Sequence, residues 1–399
     1  MHALLYLLLT LSPEDAGITA SGADESPVPT LKLFDDRLTA SPGKGLTVKS
    51  ADGDFAITLR ARVQLRDTFI QEAAASTNEL NLKTLRFYVQ GNVLTPDLKY
   101  FVQLAFGTGD YEIGNPSPLF DAYLEYTGLR DLNVRVGQYF VPFDRARTVR
   151  ESGLQFVDRQ IAVRELTLDR DVGLMLSSSD LFGFKQRLAY NLFVGGGEGR
   201  NRLGGQVLGP LLVGRLALRP FGAFDDDVEG DLQRDPKPRL SVGVAGAWNV
   251  RTNRAQSTFG TTLTLGTFDY VHAAVDVVFK WRGFSFLAEG LYRKGSTDFL
   301  ESAPVREYSR SGWGYFVQAG LLVSKWVEVT ARWDQLYALP GTDPALISLA
   351  SMQGRQLGGG VNVYLNGHAL KLQADSFYLW GPATTSGRLV VRIALDASF

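Results

Sequence analysis

The sequence predicts an all-β fold: a transmembrane antiparallel β-barrel of about 16 strands, closed on itself, with its third long loop folded inward. Three observations predict it. From Phe55 onward, segments of roughly ten residues alternate apolar and polar side chains, and a period of two puts the two sets on opposite faces of a strand. The connections between segments alternate between short and long, which sorts turns to one rim and loops to the other. The last segment, Leu389, Val391, Ile393, Leu395, Ala397 and Phe399, alternates to the final residue. Chains inserted by the outer-membrane barrel assembly machinery end in this way, so that machinery is an expected partner through Phe399.

Composition narrows the alternatives. The chain has 399 residues, 42 glycines, 16 prolines and no cysteine. Disulfide and thiolate chemistry are therefore excluded, and the composition fits a compartment where free thiols are a liability. A formal charge of −1 argues against a nucleic-acid partner, which calls for a basic domain. No apolar run reaches the roughly 18–20 residues that a membrane helix needs. A membrane protein of this kind must then be a barrel, the only other structure that satisfies its backbone in lipid.

At the N-terminus, Ala3-Leu4-Leu5-Tyr6-Leu7-Leu8-Leu9 is a short apolar core followed by small residues at Ala16, Ala20 and Ala23. This predicts a secretory signal over residues 1–23, with only His2 in place of the usual charged lead. Residues 24–54 read as a periplasmic leader without clear period, and residues 55–399 as the barrel.

The strands follow in order. Phe55, Ile57, Leu59, Ala61, Val63 and Leu65 form an apolar face, and Arg60, Arg62, Gln64 and Arg66 lie on the other. Leu85, Phe87 and Val89 oppose Arg86, Tyr88 and Gln90. Tyr100, Val102 and Leu104 oppose Lys99 and Gln103, and Ala122 and Leu124 oppose Asp121, Tyr123 and Glu125. Asn133 to Phe140 and Asp171 to Ser178 flank the long inward loop. Further alternating runs begin near Lys185, Leu211, Arg239, Tyr270, Phe284, Gly314, Trp326, Arg355, Ala369 and Leu389.

Short turns fall at Pro96, Arg130, Gly183, Gly283, Ser324 and Gly367, and long loops include 71–81, 107–117, 195–210 and 252–269. The segment 221–238 is long where a short turn belongs. Its Asp225, Asp226, Asp227, Glu229 and Asp231 read as a solvated acidic loop. Trp281, Trp313, Trp326, Trp333, Tyr337 and Trp380 gather near strand ends, as interfacial aromatic belts do.

Residues 144–169 have no clean period, and a loop of about 26 residues between two strands is usually functional. It carries Arg145, Arg147, Arg150, Arg159 and Arg164 with Asp144, Glu151, Asp158, Glu165 and Asp169, and no lysine. Arginine's fixed, always-charged fork suits oxyanions, and it equally suits pairing with carboxylates. Folded into the lumen, this constriction loop would narrow it and present arginines to whatever passes. The opposite outcome is that each arginine pairs with a neighbouring acid and only pins the loop.

Three blocks carry a family resemblance. The first runs from Gly45-Leu46-Thr47 through Asp52-Gly53-Asp54-Phe55 into Leu59-Arg60-Ala61-Arg62-Val63-Gln64. The second is Phe120 to Gly128. The third is Arg135-Val136-Gly137-Gln138-Tyr139 with Pro142-Phe143, Phe156-Val157-Asp158-Arg159 and Arg170-Asp171-Val172-Gly173. Together they resemble the phosphate-selective porins, the O and P porin family. The resemblance implies a trimeric 16-stranded barrel in the outer membrane of a Gram-negative bacterium, with an anion path through Arg62, Arg86 and Asp121. Orientation adds Arg60, Arg66, Arg135 and the loop arginines to that path. The family's phosphate selectivity leans on lysines lining the passage, and this chain places only Lys99, Lys280 and Lys371 in reading position.

One-signed charge in a narrow aqueous passage concentrates its field and raises local counter-ion concentration. The early strands read as an arginine wall. Asp276, Glu289, Glu328, Asp334, Asp375 and Asp396 make an acidic wall on the later ones, so a transverse field is expected. The function expected is a water-filled channel for small anions such as phosphate. A weakly selective general porin and a structural barrel with a plugged lumen are the alternatives. An enzyme would need a nucleophile beside His272 or His368, and neither has a hydrolase-type serine motif nearby in sequence. No spacing suits a metal and no glycine loop suits a nucleotide, so no cofactor is expected. Lipid, small anions and two further copies of the chain are the expected partners.

Overall fold

The computed structural model describes residues 31–33, 37–110, 117–202 and 209–399. The expected signal segment, 1–23, and the first part of the leader lie outside these residues.

Sixteen of the described strands form one closed antiparallel barrel. In chain order β1 to β3 are short N-terminal strands, Leu31–Leu33, Leu38–Ser41 and Gly45–Lys49. The barrel comprises β4 (Ala56–Glu72), β5 (Ala75–Val93), β6 (Thr95–Ala105), β7 (Leu119–Leu129), β8 (Leu132–Phe140), β9 (Arg170–Ser178), β10 (Leu188–Gly195) and β11 (Leu211–Leu218). It continues with β12 (Arg239–Thr252), β13 (Phe268–Trp281) and β14 (Phe284–Gly295). A small hairpin, β15 (Phe299–Ser302) and β16 (Val305–Tyr308), stands outside the barrel sheet. The circuit resumes with β17 (Gly312–Leu322), β18 (Val327–Ala338), β19 (Arg355–His368), β20 (Leu370–Trp380) and β21 (Arg388–Ser398).

Closure comes from β21 against β4, in register from Arg388↔Glu72 to Ser398↔Arg62. Beyond that point β3 takes over the same edge of β4, from Leu46↔Leu59 to Lys49↔Ala56. Phe399 completes the seam: its N–H donates to the Ala61 carbonyl at 3.0 Å and its carbonyl accepts from Ala61 at 2.7 Å. The barrel is thus sealed by the C-terminal strand and by part of the stretch read as leader.

The wall alternates as the sequence predicts. On β13, Val271 and Val275 are half-exposed to the outside, whereas His272, Ala274, Asp276, Val278 and Lys280 are buried inside. The outward set is apolar, the surface that a wall facing lipid requires. Trp281 and Trp326 sit at the short-turn rim, and Trp313 stacks on Tyr337 at 4.2 Å near the long-loop rim. The turn Arg282-Gly283 has φ of 51° and 90°. Two positive φ values are what a tight two-residue hairpin needs, and glycine supplies one without strain. Among the described residues no helix is long and apolar enough to cross a membrane.

Two connections differ from expectation. Residues 71–81 are not a loop, because β4 and β5 continue to a turn at Ala73-Ala74, with Glu72 opposite Ala75. This end of the hairpin is polar on both faces, so it carries no alternation to read. Residues 221–238 are solvated only in part: Asp225 and Asp227 are exposed. Asp226, Glu229 and Asp231 are buried inside the barrel, because they serve donors there: Asp231 accepts from the Gly283 N–H at 2.7 Å and Asp226 from Arg219 Nε at 2.9 Å.

Candidate functional site

The loop 144–169 folds into the lumen as three short helical turns, Arg145–Thr148, Glu151–Gly153 and Ile161–Leu166. Asp144 caps the first by accepting the Arg147 N–H at 3.1 Å. Val141, Phe143, Ala146, Ile161, Val163, Leu166 and Leu168 are buried and pack against Ala274, Val278, Leu287, Leu291, Phe316 and Leu336 of the later strands. The apolar residues have no period because the loop is packed on several sides.

Inward carboxylates fasten this packing. Glu289 accepts the Ala146 N–H at 2.9 Å, Asp375 the Val157 N–H at 2.9 Å, and Asp334 the Ile161 N–H. Asp276 accepts Arg145 Nε at 2.6 Å and Glu328 accepts Gln155 Nε2 at 2.6 Å. In return Lys371 Nζ donates to the Leu154 carbonyl at 2.8 Å. A buried carboxylate needs donors and a buried loop backbone needs acceptors, so each satisfies the other. Five of the six later acids are therefore engaged in holding the loop, whereas Asp396 pairs with Arg62.

What stays open is a cavity of about 1320 Å³ between the loop and the strands β4 to β11. Twelve arginines and six carboxylates line it, and no lysine does, among the described residues. Eight of the residues expected at the site are here: Arg62, Arg86, Asp121, Arg135, Arg145, Arg147, Arg150 and Arg159.

Their settings differ. Arg62 binds Asp396 through Nε at 2.9 Å, and Arg86 binds Asp110 through Nε at 3.2 Å. Asp121 accepts Arg170 Nε at 2.8 Å, and Arg135 donates to Glu125 at 2.9 Å. Arg147 reaches Asp169 at 2.8 Å. Arg159 is buried and donates to the Val149 carbonyl at 2.7 Å and to the Ala146 carbonyl, so it staples the loop. Arg150 is exposed, lies 4.9 Å over the Phe101 ring, and has no carboxylate within ion-pair distance among the described residues.

Three expected residues lie elsewhere. Arg60 stacks over Tyr88 at 5.7 Å and does not line the cavity. Arg66 meets Asp158 at 3.5 Å on the far side of the loop, where Arg164 is exposed. Arg60, Arg66 and Arg164 are thus not brought together with the other expected residues in the cavity.

Aromatic rings support the cations. Arg135 lies 4.3 Å over Tyr123, and Arg170 lies 3.7 Å over Phe140 and 4.5 Å over Phe120. A ring face holds a guanidinium flat and leaves its N–H edge free. Arg170, Arg200 and Arg254 also line the cavity. Arg170 could have been found from its motif, but Arg200 and Arg254 stand in loops without any pattern.

Charge in the loop follows this setting. Burial opposes the ionised form of Glu151, yet Arg86 and Arg62 outweigh it and hold its carboxyl well below the usual range. Burial likewise opposes ionisation of Asp169, and Arg147 and Arg170 bring it down to about 2. Burial and the neighbouring Arg147 together pull Arg159 down to about 10.

The structure also brings a serine to His272: Nε2 lies 3.0 Å from Ser257 Oγ, which in turn accepts from Asn249 Nδ2 at 2.8 Å. Ser257 is fully buried and His272 nearly so. Among the described residues no acid contacts the imidazole, and the buried pair ties a loop to the wall.

No family profile and no curated protein sequence matches the chain. Solved structures do match it. The anion-selective porin from Comamonas acidovorans is 13% identical with a TM-score of 0.56, over 86% of this chain and 99% of that one. The outer membrane channel DcaP of Acinetobacter baumannii is 14% identical with a TM-score of 0.54, over 89% and 100%. OmpF of Salmonella typhi, in complex with daunomycin, is 13% identical with a TM-score of 0.57, over 88% and 100%. The chain thus has the fold of the 16-stranded outer-membrane porins.

Proposed function

We propose that the protein is an outer-membrane porin of a Gram-negative bacterium that passes small anions through the arginine-lined cavity. The observation that carries this reading is the excess of arginine over carboxylate in the cavity, twelve against six among the described residues. The apolar outward wall, the closed ladder and the fold shared with an anion-selective porin support it. In low-dielectric surroundings such an excess raises the local concentration of anions. Phosphate is one permeant of suitable charge and size. Phe399, at the seam, is the residue offered to the assembly machinery.

A weakly selective porin is the second reading, favoured by the pairing of Arg62, Arg86, Arg135, Arg145 and Arg147 with carboxylates. Planar bilayers separate the two. Replacing Arg62, Arg86 and Arg150 with glutamine lowers the chloride-over-potassium permeability ratio if the cavity selects, and leaves it unchanged if paired charge is silent. No conductance at all would identify a plugged structural barrel.

The assembly we propose is a homotrimer joined along β9 to β12. Strands β10 and β11 are 8 residues each, short of the ~9–11 that a lipid-facing strand needs. Outside them runs an apolar groove lined by Leu174, Leu192, Leu212, Gly214, Gly246 and Trp248. A second copy would cover both.

A further inference from the structure

Arg62 and Arg86 stand directly opposite one another on β4 and β5. Like charges in such a cross-strand pair repel and destabilise the sheet unless anions separate them. Two buried acids do part of this. Asp396 takes Nε of Arg62 and Asp110 takes Nε of Arg86, and both acids are almost fully buried. The lumen side is taken by Glu151 of the loop. Its Oε2 lies 3.3 Å from Arg62 Nη1 and 3.0 Å from Arg86 Nη2, and its Oε1 lies 3.1 Å from that same Nη2. Thr84 Oγ1 adds a contact at 3.4 Å.

The three partners are unequal in exposure. The side chains of Arg62 and Arg86 are 3% and 8% exposed, whereas that of Glu151 is 30% exposed. The arginines are fixed in the wall, each with its own buried counter-ion. Glu151 is the outer member, held by side-chain contacts on a single turn of the loop. A bound carboxylate also shows what the two forks accept: a planar or tetrahedral oxyanion with two oxygens toward the wall. Beside it stands Arg150, exposed and, among the described residues, without a carboxylate partner.

We propose that Arg62 and Arg86 form an oxyanion-binding site which Glu151 occupies as a tethered competitor, and that carboxylate- or phosphate-type permeants bind by displacing it. This deepens the porin reading and rests on it. Glu151 then sets selectivity: it keeps the site weak enough for an oxyanion to leave, which conduction requires. Chloride, a sphere with no second oxygen, gains less from the paired forks.

The test is block of chloride current in planar bilayers by added phosphate and by added formate. The wild type is compared with Glu151→Gln and with Asp227→Asn. Asp227 is an exposed acid of the same cavity that makes no ion pair among the described residues, so it controls for charge in the cavity. We expect Glu151→Gln to lower the half-blocking phosphate concentration about tenfold, the equivalent of roughly 1.4 kcal/mol, and Asp227→Asn to shift it less than twofold. A gain for both phosphate and formate supports a general oxyanion site, and a gain for phosphate alone supports one shaped for a tetrahedral anion. A half-block unchanged by Glu151→Gln overturns the proposal, as does an equal shift from Asp227→Asn. Should Glu151→Gln fail to fold, Glu151→Asp withdraws the carboxylate by one methylene, and a smaller shift in the same direction is expected. A wild type that conducts anions while Glu151→Gln leaves block unchanged removes this proposal alone. A wild type that never conducts removes the porin reading as well.

Discussion

Arg145 Nε lies 2.6 Å from Asp276 Oδ1, joining the first turn of the inward loop to β13 across 131 positions of sequence. Asp276 also binds Arg215, and Arg145 also reaches Ser241 at 3.0 Å, so both charges are buried and matched. Removing one partner of such a pair costs about 3–5 kcal/mol. Asp276→Ala should therefore lower the thermal unfolding temperature of the barrel. The freed loop should also produce flickering single-channel current of larger mean conductance. A variant as stable and as quiet as the wild type would show that the loop is held by its apolar packing alone.

The segment 221–238 reaches the same loop from the opposite rim. Glu229 accepts the Gln155 N–H at 2.7 Å and Gln318 Nε2 at 2.8 Å, and its own N–H donates to the Gly153 carbonyl at 3.0 Å. Glu229→Ala strands a buried N–H, at about 1–3 kcal/mol. The expected outcome is faster amide hydrogen exchange at Gln155, measured by mass spectrometry, with the barrel strands unaffected.

Acid should act on the loop with two signs. Asp169 is held down to about 2, against 3.8 for an ordinary aspartate. The unfolded loop therefore binds the proton first, and the stability contributed by Asp169 is present above pH 3.8 and lost as pH falls toward 2. Burial raises Asp144, so its folded form binds the proton first and stability rises as pH falls from neutral to its ordinary range. Protection of the loop should be greatest in mildly acidic solution. Asp144→Asn keeps a capping side chain and should flatten the neutral limb only, as read by hydrogen exchange from pH 7 to pH 3.

The proposed trimer can be tested from outside the barrel. A Cβ added at Gly246 meets nothing closer than the His272 carbonyl at 4.0 Å, and the position lines the outer groove, so Gly246→Trp should leave the barrel folded while filling the groove beside Trp248. The expected result is a loss of trimer in detergent by native mass measurement, with heat-modifiable barrel mobility retained. Trimers of undiminished stability would place the interface on another wall.

Much of the fold was legible because lipid and water impose opposite demands on alternate residues. Val271 and Val275 against His272 and Asp276 illustrate this, and the terminal alternation to Phe399 marked the closing strand. The hairpin tip at Ala73-Ala74 was not legible, because water lies on both of its faces. The site was legible in part. Arg62, Arg86 and Asp121 followed from the family resemblance, and Arg150 from its loop. Partnership was invisible. Nothing local to Asp334 says that it accepts the Ile161 N–H rather than facing water, and nothing in the run Asp225 to Asp231 says that it turns inward. Both depend on contacts between residues far apart in sequence.

The most direct measurement of the central claim is the zero-current potential of the purified wild type in a planar bilayer under a tenfold potassium chloride gradient. Chloride should dominate, giving the sign of an anion-selective pore, and the magnitude should fall when Arg62, Arg86 and Arg150 are neutralised together. A potential of cation-selective sign, or one that those replacements leave unmoved, would contradict it.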